Sequence, residues 1–215
     1  MQEILQSFLT LPNAVILAAA TWLIKSSYNK YVAEKRSIGI FERIYAQNLR
    51  ILDDSIEFMN QWIDALKNNN NYSCYFEELV IDDTNHLHIS DLNLVNILIT
   101  TNYIQRRANH DLKNTYKVYQ EMHAHFREKN LLASDEFKIS NQTALNAVLS
   151  IKEGLEKFVI PDTIKAIAYL QLAGKTKEHS IYGYLNLLDM NIFPRITEAK
   201  VKDRINKINS RRTKS

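Results

Sequence analysis

The chain has 215 residues, 46% hydrophobic and 24% charged, with a net charge of +3. That balance excludes wholesale disorder and suits one ordinary domain, with or without a membrane anchor. Neither a G-x-G-x-x-G nor a Walker loop is present, and a single cysteine rules out an intramolecular disulfide or a Cys-x-x-Cys site.

Only four Gly and three Pro interrupt runs rich in Leu, Ile, Lys, Asn and Gln, so the expected fold class is all-α. From Leu5 to Ile24 twenty residues carry no charge, and fourteen are hydrophobic. A helix of that length spans roughly 30 Å, the thickness of a bilayer's hydrocarbon core. Trp22, Tyr28 and Tyr31 follow where amphipathic rings suit an interface. Lys25, Lys30, Lys35 and Arg36 lie on the C-terminal side against only Glu3 and the α-amino group on the other. The expectation is a single transmembrane helix within 1–27, N-terminus outside the cell inner membrane, with the bulk of the chain cytoplasmic. A cleaved signal peptide and a buried core helix are the alternatives.

Residues 28–66 predict a long helix with a heptad seam. Leu49, Ile56 and Ile63 take one seam position; Tyr45, Leu52, Met59 and Leu66 take the other. Ile44, Ile51, Phe58 and Trp62 widen the apolar face, which suits packing within a bundle. Lys67 and Asn68 to Asn71 end the helix. Residues 72–89 read as a short β-hairpin turning at Asp82-Asp83-Thr84-Asn85, or as an ordered helix-helix loop. Ser90 is expected to cap a second long helix over 91–129, giving a long helical hairpin. Its apolar stripe breaks at Asn102, Gln105 and Asn109, where the helix is loosely packed or meets something polar. Shorter helices follow: one from Ser140 or Asn141 to Pro161, one from Asp162 or Thr163 to Gly174, and one over 180–190. The bundle thus occupies 28–193, and 194–215 form a basic tail with eight Lys or Arg and two acids.

Candidate chemistry is sparse. Glu78, Asp82, His86 and His88 are the strongest metal candidates: on a strand the two histidines share a side, and with a carboxylate they would suit zinc or manganese. A solvated acidic turn is the plainer reading. His123 and His125 sit two apart on a helix and cannot chelate one ion. His110-Asp111 resembles the metal-binding dipeptide of the helical HD phosphohydrolases, in the dipeptide alone. Arg106 and His110 are too close to meet the Arg-x4-6-His pattern of HEPN-type ribonucleases. Cys74 lies in an apolar run that predicts a buried, inert thiol. In the tail, Lys200, Lys202, Arg204, Lys207, Arg211 and Arg212 would suit an anionic lipid surface, nucleic-acid phosphates, or solvent.

In organisation the chain is similar to small bacterial membrane proteins with one N-terminal anchor and a cytoplasmic helical bundle. The function expected is a membrane-anchored, non-enzymatic interaction or oligomerisation protein, such as a stress or phage-defence effector. It would bind a cytoplasmic partner or itself, with no cofactor. The alternatives are a metal-dependent hydrolase using residues 77–88 and a nucleic-acid-associated protein using the tail.

Overall fold

A computed structural model describes the backbone of residues 2–73, 75–178 and 196–213, and side chains within 15–73, 75–175 and 196–213. Among these residues the chain is all helical. Helix α1 runs from Gln2 to Lys67, 66 residues and so about 100 Å at 1.5 Å per residue. Helix α2 spans Leu92–Glu128 and α3 spans Asp135–Gly154. A π-helical turn, Leu155–Val159, leads without a break into α4, Ile160–Glu178. Helix α5 is Glu198–Arg212.

Asparagine ends both long helices. Asn69 takes a left-handed φ of 54° after α1 and Asn130 one of 56° after α2, a conformation that Asn tolerates better than most residues. After α1, Asn70 N donates to Ala65 O and Asn69 N to Leu66 O. After α2, Leu131 N donates to Phe126 O and Asn130 N to Arg127 O. Both are Schellman ends that satisfy the final carbonyls.

Helices α1 and α2 are parallel, not the antiparallel arms of a hairpin. Tyr45 meets Leu98 and Asn102, Asn48 meets Gln105, and Trp62 meets Tyr116 and Tyr119; contacts advance in the same direction along both. Parallel helices need a return connection, and residues 68–91 supply it. The described residues of 72–89 contain no strand: the segment is extended and ends in a 3-10 turn, Asn85–His88. Its partners are helix side chains, so no ladder forms. The continuous rod α3–α4 runs antiparallel to both long helices, with Asn141 bonding Leu66 O and Gly174 lying against Ile38.

The buried line on α1 is Tyr31, Glu34, Ile38, Phe41, Tyr45, Asn48, Leu52, Ser55, Met59, Trp62 and Leu66, each 8% exposed or less. Steps alternate between three and four residues, so a heptad is present. Its second seam position differs from the apolar reading of the sequence: Asn48, Ser55 and Trp62 fill it, while Leu49 and Ile56 are only half-buried. Ile63 is buried, but beside the seam. Selecting hydrophobic residues moved the seam by one residue, because three of its positions (Glu34, Asn48 and Ser55) are polar.

Two apolar clusters fill the bundle. One joins Leu52, Met59 and Trp62 to Leu112, Tyr119 and Val148. The other joins Phe41 and Tyr45 to Leu94, Leu98, Ile167 and Leu170.

Three further expectations change. Asp91, not Ser90, caps α2, accepting from Asn93 N at 2.9 Å and Leu94 N at 3.2 Å; Ser90 is engaged by Glu34, whose Oε1 accepts from Ser90 N at 3.0 Å and Oγ at 2.9 Å. The third helix begins at Asp135 behind Ser134, whose hydroxyl accepts from Phe137 N. Pro161 does not end it, since the wider π-turn immediately before absorbs a residue that lacks an N–H and would clash in a regular α-helix. The helix expected over 180–190 and the boundary at Pro194 lie outside the described residues.

Candidate functional site

Amide side chains from both parallel helices clamp the extended connection. Asn48 acts from α1, its Nδ2 donating to Val80 O and its Oδ1 accepting from Val80 N, both at 2.8 Å. Asn109 does the same from α2 for Leu79, at 2.9 and 2.8 Å. Asn102 Nδ2 donates to Asp82 O at 2.6 Å, and Gln120 Nε2 to Tyr72 O at 2.8 Å. An amide offers a donor and an acceptor side by side, so each Asn stands in for a neighbouring strand's backbone. This accounts for the gap in the α2 stripe: Asn102 and Gln105 are 5% and 0% exposed because they face polar backbone and side chains.

A polar layer crosses the bundle between the two apolar clusters. Asn48 Nδ2 donates to Gln105 Oε1, and Gln105 Nε2 donates to Thr163 Oγ1, both at 2.8 Å. The Thr163 hydroxyl in turn donates to Val159 O at 2.7 Å, inside the π-turn. Every member of the chain is satisfied, as a buried network requires. Beside it, Tyr45 donates to Asn102 Oδ1 at 2.8 Å. Burial, and then the charge of Asp82, raise the Tyr45 hydroxyl pKa well above its ordinary value, so it remains a donor.

The metal candidates are placed apart in role. Glu78 is exposed and takes an ion pair from Lys113 at 2.8 Å. Asp82 shapes the turn, accepting from Thr84 N, Thr84 Oγ1 and Asn85. Burial acts to raise its pKa, but these hydrogen bonds outweigh it and hold the carboxyl below its usual value. His86 and His88 lie on the 3-10 turn, where residues two apart point about 240° from each other. The strand geometry that would have put them on one side is absent. Among the described residues no three His, Cys, Asp or Glu side chains gather closely enough to hold a metal. Arg106 pairs with Asp83 and Arg107 with Asp111, and His110 joins no metal-holding group among the described residues. His123 is buried between the rings of Tyr119 and Phe137, while His125 is exposed. Cys74 lies outside the described residues.

The tail is folded rather than frayed. Val201 is buried at 5%, and Ile205 and Ile208 pack on the bundle core. Arg204 Nε donates to Gln171 Oε1, and Gln171 Nε2 to Glu42 at 2.9 Å. Arg212 binds both carboxylate oxygens of Asp53 through Nε, at 2.8 and 3.0 Å. Helix α5 therefore runs parallel to α1, packed against α4 and tied to α1 through Asp53. Arg204 and Arg212 tie α5 to the bundle, while Lys200, Lys202, Lys207 and Arg211 face solvent.

At the other extreme of α1, every residue from Val15 to Lys25 is exposed. Val15, Ile16 and Leu17 are 63–67% exposed, and Trp22, Leu23 and Ile24 are 56–67% exposed. Three consecutive residues cover successive 100° sectors of a helix, so this section is apolar all round. Among the described residues no helix is long and apolar enough to cross a membrane; the side chains of residues 5–14, half of the uncharged run, lie outside them. Compared with known proteins, the chain matches no family model, no curated protein and no solved structure.

Proposed function

We propose that this protein is a membrane-tethered, non-enzymatic interaction module. The observation that carries the reading is the all-round exposure of apolar side chains over residues 15–24, on a helix that continues into the bundle core as one element. A soluble helix that is apolar on every side has no favourable partner in water, whereas hydrocarbon accepts it without any exposed backbone. Lys25 and Lys30 are both exposed at the end of the apolar section, where anionic headgroups would attract them. In this reading the N-terminus is outside the inner membrane and the bundle is offered on the cytoplasmic side to a protein partner or a second copy, as a scaffold, sensor or stress or defence effector. The polar layer and amide clamps are then devices of register and rigidity, not of catalysis. Alkaline carbonate extraction of cell membranes tests the tether: the full chain should stay with the membrane, and release into the supernatant would overturn the reading. Reporter fusions at residue 215 should be active only on the cytoplasmic side.

A further inference from the structure

The first fourteen residues of α2 carry no charge on any face. Residues 92–105 are fourteen uncharged residues, although Leu92, Asn93, Asn96, Ile99, Thr100 and Tyr103 are exposed. Leu92, Ile99 and Tyr103 are 76%, 48% and 66% exposed and share one stripe, at steps of seven and four. From Arg106 onward the exposed face is charged, with Arg106, Arg107, Lys113 and Lys117 among its residues. A solvated helix face has no reason to change in this way at mid-length, whereas a face that meets another apolar surface does.

We infer that this stripe pairs with the same stripe on a second copy of the chain, α2 against α2 in parallel. The inference rests on the membrane-tether reading. Because α1 and α2 are parallel, a tether through α1 holds every copy the same way up. Leu92, Ile99 and Tyr103 then stand at the same height on each molecule, as an isologous contact about an axis normal to the membrane requires. Self-pairing would juxtapose like charges if the face had any; it has none, and the bordering Arg106 and Arg107 are paired with Asp83 and Asp111 of their own chain. The contact is small. Fourteen residues of helix are about 21 Å long, less than the roughly 800 Å² per partner typical of a stable dimer in solution could rest on. Confinement by the anchor raises the effective concentration and compensates for the small area.

The test uses the full chain with Cys74→Ser, reconstituted in phosphatidylcholine–phosphatidylglycerol liposomes and floated on a density gradient. Single cysteines are introduced at Ile99 or Tyr103, with controls at exposed Lys138 and Gln142 on α3, followed by mild oxidation. The expected result is flotation of every variant, disulfide-linked dimers several-fold more abundant for Ile99→Cys and Tyr103→Cys than for the controls, and loss of the Tyr103→Cys dimer when Ile99→Glu is added. A floated chain with no excess of linkage at 99 and 103, or one cross-linked equally at all four positions, overturns the pairing and leaves the tether standing; the face then belongs to a different protein or to none. A chain that remains at the bottom of the gradient overturns the tether, and the pairing that depends on it falls with it.

Discussion

Between Val15 and Lys25 every residue of α1 is exposed, whereas from Tyr31 to Leu66 the same helix buries a residue at every third or fourth position. The backbone is continuous across the junction, so helix propensity does not distinguish the two sections. Side-chain pattern does. The first section is apolar on all sides and exposed; the second is apolar on one line, punctuated by Glu34, Asn48 and Ser55, and is covered by α2, α3–α4 and the clamped connection. A helix face packs inside the bundle when its polar interruptions have partners there.

This contrast can be broken from either side. The largest effect is expected from Leu52→Asp. Leu52 is fully buried; losing its burial costs about 1.5–3 kcal/mol, and placing an unpaired charge there adds several more. With total stability on the order of 5–15 kcal/mol, circular dichroism should show an unfolded or severely destabilised bundle. Ile56→Asp, at a half-buried position, should be milder.

Gln105→Ala comes next. It removes one hydrogen bond from Asn48 and one from Thr163, which keep Val80 O and Val159 O, so each loss costs about 0.5–1.5 kcal/mol. Chemical denaturation should show a lower midpoint with an unchanged slope.

The effect of pH is smaller. Burial, and then the nearby charge of Arg127, lower the His123 pKa below its ordinary 6.5. Below about pH 6.5 the unfolded chain therefore takes up a proton that the folded chain resists. The contribution of His123 is complete above that pH and is lost as pH falls towards its folded value. His123→Phe should flatten this part of the stability profile, measured by thermal melts between pH 5 and 7.5.

Arg212→Ala should cost about 1 kcal/mol or less, because its ion pair with Asp53 is part-exposed. Protease protection at α5 should fall while the bundle's melting changes little. The smallest stability effect belongs to the other section: Leu17→Asp should leave bundle melting within about 0.5 kcal/mol of the parent and yet weaken membrane retention. If Leu17→Asp destabilised the bundle as Leu52→Asp does, the two sections of α1 would not be the separate environments described here.

Much of the architecture was legible in local chemistry. The asparagine run after Lys67 predicts a helix end, and Asn69 supplies its left-handed residue. Tyr45, Leu52, Met59 and Leu66 are on the buried line as their spacing requires. The companion positions differ, because a hydrophobic template passes over Asn48 and Ser55 for Leu49 and Ile56, one residue further on. The alternation around His86 and His88 points to a strand that does not form, since the connection is held by amides 20 residues away or more. Pro161 looked like a terminator, and no local signal announces the π-turn that carries the helix through it.

Local chemistry makes the chain helical, ends α1, and sets one uncharged apolar run before a basic flank, because these depend on residues within a few turns of one another. The parallel course of α1 and α2, the clamped strap around Leu79 and Val80, and the return of the basic tail to Asp53 come from the fold. Those features rest on pairings such as Asn48–Val80, Asn48–Gln105 and Asp53–Arg212, separated by 32, 57 and 159 residues. A polar side chain in a sequence looks the same whether its partner is water or a buried backbone amide; the fold alone brings that partner within 3 Å.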